Sequence, residues 1–143
     1  RANLTLHLSD DIINSDSLED LSGISLDPHD NSVSFLNKLR IKNLNRIIIG
    51  HLNINSVRNK IEMLSSIVEG KLDVLLISET KINESFSSAS FEIPGFSTPY
   101  RVDKTAIEGG VMLYVRSDIP SKLVLFSPLP ETLQGLFIEI SLF

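Results

Sequence analysis

The sequence contains no cysteine and no tryptophan among its 143 residues. Without thiols the chain forms neither a disulfide framework nor a thiolate metal site, which suits an intracellular protein. No apolar run approaches the ~18 residues of a membrane-spanning helix, and the first residues lack the basic-then-apolar pattern of a signal peptide. A Gly-x-x-x-x-Gly-Lys loop and a His-x-x-x-His pair are also missing. These absences argue against secreted, membrane-spanning and P-loop proteins, and the length suits one domain with a real core.

Acidic residues are missing from one long stretch of the chain. Residues 31–61 include no acid but six bases, namely Lys38, Arg40, Lys42, Arg46, Arg58 and Lys60. The acids concentrate before this stretch, since residues 1–35 hold seven acids and one base (charge −6), whereas residues 36–143 hold eleven acids and twelve bases (charge +1). A locally basic segment either favours phosphate or is a solvated helix face. The sequence leaves both interpretations open.

The residues between positions 45 and 81 predict a strand, a helix and a second strand. The apolar runs at 46–52 and 73–77 have the length and composition of strands. Between them, Ser56 can cap a helix, and Gly70 occupies the place of a left-handed residue at its C-terminus. The apolar stripe of this helix comprises Val57, Ile61, Met63, Leu64, Ile67 and Val68. Strands joined in this way are expected to be parallel, with a right-handed crossover.

Each of these strands ends in residues that suit metal or phosphate chemistry. Asn53 and Asn55 follow the first strand, and Glu79 follows the second. We expect Asn53 and Glu79 at one carboxyl edge, where open α/β sheets bind ligands. A carboxylate is a hard ligand suited to Mg²⁺. The alternatives are an exposed glutamate at a strand end and asparagines that serve only the turn, and for Asn55 we expect the turn role.

Four further strands are predicted, at 96–102, 109–116, 122–126 and 133–143. Pro99 interrupts the first of them, which makes it an edge or bulged strand. The second alternates between two faces, with Val111, Leu113 and Val115 on one and Met112, Tyr114 and Arg116 on the other. A βαβ unit followed by consecutive strands is expected for one half of an α/β sandwich of two packed sheets covered by helices.

The N-terminal region is predicted to lie outside this domain. Residues 1–32 are rich in Ser, Asp and Asn and show no sustained apolar period, so we expect an acidic, disordered leader. A short helix is predicted over 33–39, with Phe35, Leu36 and Leu39 packing on the domain. The domain itself is expected to span residues 33–143.

Several short motifs together resemble the endonuclease/exonuclease/phosphatase family, whose fold is that of DNase I. They are Leu-Asn-Ile-Asn-Ser at 52–56, Ile-Ser-Glu-Thr-Lys at 77–81, Tyr-Arg-Val-Asp at 100–103, Glu-Gly-Gly-Val at 108–111 and Gly-Leu-Phe-Ile-Glu-Ile at 135–140. Each motif is weak alone, but their order and spacing are similar to those of the endonuclease domain of LINE-type, non-LTR retrotransposons. The resemblance covers about residues 42–143. It implies the N-terminal half of a four-layer α/β sandwich, with two mixed β-sheets flanked by helices.

The resemblance also implies roles for particular residues. Glu79 falls on the family's metal-binding glutamate, so Mg²⁺, with Mn²⁺ as an alternative, is the expected cofactor. Asn53 falls on an asparagine of the catalytic cluster. Asn55, Tyr100 and Arg101 are candidates for contacts with phosphate or DNA, although for Arg101 a structural pair with Asp103 is favoured. Ser78 departs from the family, which often has Gln before the metal-binding glutamate.

The implied activity is Mg²⁺-dependent nicking of target DNA, in the nucleus, to prime a reverse transcriptase domain further along the same polyprotein. The implied partners are therefore DNA and that domain, with no membrane. The motifs that carry the family's general-base histidine do not occur in these 143 residues, so we expect a C-terminally truncated domain that is inactive alone. His7, His29 and His51 are expected to be packed or surface residues. Two alternatives remain, a phosphatase of the same fold acting on a small molecule or lipid headgroup and a non-enzymatic relic.

Overall fold

The computed structural model describes residues 27–124, 129–130 and 132–142. These residues form two α-helices and six strands, and the strands are arranged in two sheets. The α/β class is therefore confirmed. The elements are α1 (Pro28–Lys42), β1 (Ile49–Asn53), α2 (Ile61–Val68), β2 (Val74–Ser78), β3 (Tyr100–Val102), β4 (Val111–Val115), β5 (Ser121–Leu123) and β6 (Ile138–Ile140). None of the helices in this part of the chain is long and apolar enough to cross a membrane.

The predicted βαβ unit is present, with β1 and β2 paired in parallel. Gly70 has the expected left-handed backbone, with φ of +69°. The helix, however, begins at Ile61, and its N-cap Lys60 makes no side-chain capping bond, so the prediction that Ser56 caps it was wrong. The reason lies in the preceding loop, which extends the β2 pairing. Ser56 N–H donates to the Glu79 carbonyl at 2.8 Å and the next residue's N–H donates to the Thr80 carbonyl at 3.0 Å.

Strand β2 lies inside a four-stranded mixed sheet with the order β1-β2-β4-β3. Its second neighbour, β4, runs antiparallel, and so does β3 against β4. The edge position predicted for the strand at 96–102 is confirmed, because β3 occupies the sheet edge. The strand is shorter than predicted, since it covers only Tyr100–Val102 and begins after Pro99. Four residues before β3, Phe96 forms an isolated antiparallel β-bridge with Arg116.

Both faces of this sheet are covered by apolar side chains. Met112 and Tyr114 of β4 belong to the core beneath α2, and Leu113 and Val115 belong to a second cluster on the other face. The alternation predicted for β4 is therefore confirmed. Met63 is 52% exposed, so its inclusion in the buried stripe of α2 was wrong.

Helix α1 is longer than predicted, spanning Pro28–Lys42 rather than 33–39. Asp27 caps it by accepting a hydrogen bond from the backbone N–H of His29 at 2.8 Å, and proline suits the first helical position. The helix thus includes the last five residues of the region predicted to be a disordered leader. The rest of that prediction, for residues 1–26, lies outside the described residues. Leu36 and Leu39 pack against the core as expected, but Phe35 is 63% exposed.

The second sheet pairs β5 with β6, antiparallel. β6 lies within the predicted strand at 133–143, whereas β5 begins one residue before the predicted strand at 122–126 and ends at Leu123. Leu136, Ile138 and Ile140 cover the cluster formed by β4, whereas Glu139 is exposed, as the alternation requires. A short 3₁₀ helix at Ser88–Phe91 follows β2, and the described ranges contain no third sheet and no third α-helix.

Candidate functional site

The ends of β1 and β2 meet at one edge of the sheet. Asn53 lies opposite Ser78 in the parallel register, so Glu79 is the next residue of its strand. The pairing continues one step further, with the N–H of Ile54 donating to the Ser78 carbonyl at 3.0 Å. The structure therefore brings Asn53 and Glu79 to the same carboxyl edge, as the βαβ pattern predicts.

Glu79 presents a half-buried carboxylate at this edge. One carboxylate oxygen, Oε2, accepts a hydrogen bond from the Gly109 N–H at 3.0 Å. Among the described residues, no lysine, arginine or histidine lies within ion-pairing distance of this carboxylate. A carboxylate held by a backbone donor but not neutralised by a cation is suited to binding one.

The two asparagines of the first loop have different contacts. Asn53 is exposed, and its side-chain oxygen accepts from the Asn55 N–H at 3.0 Å, which is an Asx turn. Asn55 is left-handed, with φ of +45°. Its side-chain oxygen accepts a 2.5 Å hydrogen bond from Lys81 Nζ, and its carbonyl accepts one of 2.8 Å from Lys60 Nζ. These contacts support the turn role expected for Asn55.

Left-handed residues other than glycine gather at this edge. All five that the described chain contains lie in the two loops, at Asn55, Ser56, Asn59, Glu79 and Lys81. This conformation is strained for a residue with a Cβ, and it persists only where the surrounding contacts hold the backbone in place. Residues of this kind cluster at functional sites. Asparagine can signal this conformation in a sequence, whereas nothing in the sequence marks Glu79 or Lys81 as left-handed.

Gly109 and Gly110 allow the segment before β4 to approach the Glu79 loop. The carbonyl of Gly109 accepts from the Lys81 N–H at 2.9 Å. A Cβ on Gly110, whose φ is +89°, would overlap the buried hydroxyl of Thr80. The side chain of Gln134 also reaches this point, accepting from the Gly110 N–H at 3.0 Å. No local pattern marks Gln134 for this position, because it lies four residues before β6.

Arg101 has acceptors for all of its side-chain N–H groups. Its guanidinium donates to both carboxylate oxygens of Asp103, at 3.0 and 2.6 Å. It also donates to the carbonyls of Phe86 and Asn83, at 2.7 and 2.8 Å, and to the Ser88 hydroxyl at 3.3 Å. Arg101 thus ties the loop after β2 to β3. These contacts support the structural role over the phosphate-binding one.

Tyr100 lies on the opposite face from Arg101, away from the Glu79 loop. Its ring is packed against the cluster that contains Leu113, and its hydroxyl lies 3.0 Å from the Ser121 hydroxyl. His51 is exposed on β1 and borders a small cavity that Gln134 also lines. Neither residue contacts Glu79, and the contact of Tyr100 with DNA remains a prediction.

Three cations surround the edge without a carboxylate partner among the described residues, namely Arg58, Lys60 and Lys81. They are held instead by oxygen atoms of the loops. Arg58 Nη2 donates to the Ala106 carbonyl at 3.1 Å, and Lys60 Nζ donates to the Ile54 carbonyl at 2.7 Å. Cations with no neutralising partner produce a positive potential around the edge, which favours a polyanionic ligand.

A metal at this edge would have few protein ligands. No group of three or more His, Asp or Glu side chains within the described ranges is arranged to hold one. Glu79 supplies one carboxylate, and Asn53, at the same sheet edge, has an amide oxygen that accepts from the Asn55 N–H. Both groups are hard donors. Mg²⁺ retains several waters and needs only one or two protein carboxylates when a phosphate completes its shell. The donor set therefore fits Mg²⁺ or Mn²⁺ bound together with a phosphate, and does not fit an all-protein cage.

Neither the comparison with protein-family models nor the search of curated proteins returned a match for this chain. The geometry of the edge is accordingly what supports a function.

Proposed function

We propose that this chain is part of a metal-dependent endonuclease that hydrolyses phosphodiester bonds in DNA, with the DNase I-like sandwich and the LINE-type relationship implied by its motifs. A nuclear location and a reverse transcriptase domain in the same polyprotein belong to the same proposal. The observation that carries it is the half-buried Glu79 carboxylate, which lies without a cationic partner at the carboxyl edge, among cations that themselves lack carboxylate partners within the described chain.

Different residues at the edge have different proposed roles. Glu79 would hold Mg²⁺ or Mn²⁺, with Asn53 beside it, and the ion when bound would supply charge neutralisation at the scissile phosphate. The N–H of Gly109 fixes the orientation of the Glu79 carboxylate by bonding one oxygen. Arg58, Lys60 and Lys81 would attract the neighbouring phosphates of the DNA backbone. The motifs that carry the family's general-base histidine do not occur in these 143 residues, so this chain is expected to bind DNA but not to cut it.

The metal site can be tested without any activity. Mn²⁺ titrated into the ¹⁵N-labelled chain should broaden the amide signals of Glu79 and Gly109, because a paramagnetic ion relaxes nearby nuclei. Glu79→Gln should abolish this broadening, since it keeps the side-chain size and removes the charge. Glu108→Gln is the matched control, because Glu108 is an exposed carboxylate of the neighbouring turn that pairs with Lys104 at 2.9 Å. Equal broadening in the parent and Glu79→Gln would remove the metal assignment.

Cleavage can be tested on supercoiled plasmid with Mg²⁺, using this chain and a longer one that adds the expected downstream motifs. In the longer chain, Glu79→Gln should lower nicking roughly 10²–10³-fold. Asn53→Ala should also slow nicking, whereas Asn55→Ala should have little effect. Hydrolysis of a small phosphate monoester in preference to DNA would contradict the endonuclease and favour the phosphatase alternative.

The phosphate contacts predict a salt dependence. Lys81→Gln should weaken binding of duplex DNA and lower the slope of log affinity against log salt by about one unit. Lys122→Gln is the control, because Lys122 is exposed on the second sheet and pairs with Glu139. If the two substitutions change the slope equally, the positive potential at the edge does not select DNA.

A further inference from the structure

Gln134 lies in the segment that leads into β6, and its side chain reaches the diglycine that precedes β4, Gly109 and Gly110. Its Oε1 accepts a hydrogen bond from the Gly110 N–H at 3.0 Å. A Cβ added to Gly109 would lie 2.9 Å from the same oxygen. The carboxamide of Gln134 therefore lies against both residues of the diglycine, although it is 24 residues from Gly110 in the sequence.

All of the backbone polar groups of this diglycine are hydrogen-bonded. Its two carbonyls accept from the N–H groups of Thr80 and Lys81, at 3.3 and 2.9 Å. Its two N–H groups donate to side chains instead. The Gly109 N–H donates to the Glu79 carboxylate and the next N–H donates to Gln134, each at 3.0 Å. Both glycines are buried, so each N–H requires an acceptor, and these two side chains are the acceptors that the structure supplies.

The diglycine does not hold this arrangement by itself. Gly109 and Gly110 have φ of +69° and +89°, and a residue without a Cβ can adopt many other backbone conformations at similar energy. Removing the Gln134 acceptor would leave the buried Gly110 N–H without a partner, which favours rotation of that peptide toward water. Such a rotation would also displace the neighbouring N–H, which holds the Glu79 carboxylate.

Packing in turn fixes the segment that carries Gln134. Leu136, two residues further on, packs on the cluster that contains Leu113, and β6 pairs with β5 in the second sheet. Gln134 also lines the cavity that His51 borders, between this segment and the first sheet. The acceptor for the Gly110 N–H is therefore in place only when the segment before β6 lies on the first sheet.

We propose that Gln134 is a positioning residue for the metal-binding carboxylate, and that it acts on Glu79 through the peptides of Gly110 and Gly109. This inference rests on the proposed function, in which Glu79 holds Mg²⁺ or Mn²⁺. Hydrogen-bond partners behind a metal ligand orient that ligand, and their loss lowers metal affinity roughly 10–100-fold. Gln134 acts one peptide further from the ion, so its loss should lower the affinity for Mn²⁺ about tenfold, at the lower end of that range. The affinity of the metal site thereby depends on the packing of the second sheet.

The test compares two substitutions of similar length. Gln134→Met removes the acceptor, whereas Gln134→Glu keeps an acceptor oxygen. In the metal-free ¹⁵N-labelled chain, Gln134→Met should move the amide-proton signals of Gly109 and Gly110 upfield, because amide protons in weaker hydrogen bonds resonate there. Gln134→Met should then need about tenfold more Mn²⁺ to broaden the Glu79 amide signal. Gln134→Glu should keep both glycine signals downfield and bind Mn²⁺ at least as tightly as the parent.

Gly70→Ala controls for a general loss of stability. Gly70 follows α2 with φ of +69°, and a Cβ there would meet nothing within 4 Å, so this substitution should leave the Mn²⁺ affinity unchanged. If the parent shows no broadening at Glu79, the metal site and the positioning role are both wrong. If the parent and Gln134→Met bind Mn²⁺ equally, the positioning role is wrong and the metal site stands. A loss that Gln134→Glu does not restore, or that Gly70→Ala reproduces, would overturn the positioning role in favour of general damage to the fold.

Discussion

Arg40 donates a 2.7 Å hydrogen bond from α1 to the fully buried carboxylate of Asp73, at the start of β2. The same carboxylate oxygen accepts from the Ile48 N–H at 2.7 Å, and the other oxygen pairs with Arg116 at the end of β4. One carboxylate therefore connects the first helix with three neighbouring chain segments. This network lies at the end of β2 opposite to Glu79, so it stabilises the sheet without taking part in the candidate site.

Asp73→Ala should destabilise the chain by about 3–5 kcal/mol, because it leaves Arg40 without its carboxylate partner near a buried position and removes one of the two carboxylate partners of Arg116. Urea unfolding followed by circular dichroism would measure this loss. Asp118→Asn is the control, since Asp118 bonds the same Arg116 from an exposed position, and it should leave the midpoint unchanged. Similar midpoints for the Asp73 variant and the parent would show that the buried pair adds nothing.

Tyr114 predicts a loss of stability in alkali. Burial raises the pKa of this fully buried tyrosine well above its usual value of about 10, and the charge of Arg101 opposes the shift only in part. A raised folded-state pKa contributes stability that is complete below pH about 10 and is lost as pH rises further, because the unfolded chain ionises first. The loss should be about 1.4 kcal/mol per pH unit above that point.

Tyr114→Phe should remove this component of the alkaline slope in urea unfolding. Near neutral pH it should cost about 1–2 kcal/mol, because the hydroxyl donates a buried 2.7 Å bond to the Phe91 carbonyl. Tyr100→Phe removes the other tyrosine hydroxyl of the chain and should leave the slope attributed to Tyr114 in place. A parallel slope for Tyr114→Phe and the parent would contradict the burial argument.

The contact between Thr80 and Gly110 predicts opposite effects for two substitutions. The Thr80 hydroxyl is buried and has no hydrogen-bond partner in the described part of the chain. Thr80→Val should therefore be neutral or stabilise by about 1 kcal/mol, since it removes an unsatisfied polar group. Gly110→Ala should destabilise by more than about 2 kcal/mol, because the new Cβ overlaps Thr80 and the left-handed backbone is strained.

Gly70→Ala separates these two causes. Gly70 is also left-handed, with φ of +69°, but a Cβ there would meet nothing within 4 Å. Its cost should reflect the backbone alone, at about 1 kcal/mol. Thermal melts of the two alanine variants would give the difference, and equal shifts would mean that close approach to Thr80 is not what requires glycine at position 110.

The sequence determined the βαβ unit, the edge position of β3 and the two faces of β4, because these follow from local periodicity. Apolar runs of strand length around one helical stripe allow few arrangements, and a parallel pair brings Asn53 and Glu79 to one edge whatever else the chain does. Gly70 and Pro99 could be interpreted in the same way, since each restricts the backbone by itself.

Only the tertiary structure decided the partners that are distant in the chain. Asp73 looks like the polar start of an apolar strand, and nothing local indicates that Arg40 and Arg116 reach it from 33 and 43 residues away. The true start of α2 was missed because Ser56 satisfies its N–H by pairing with Glu79, which is a nonlocal contact. Local sequence also could not predict three further features, namely the left-handed backbone of Glu79, the position of Gln134 and the exposure of Ile107. Each depends on which loops meet at the sheet edge, and long-range packing sets that meeting rather than the propensity of any single residue.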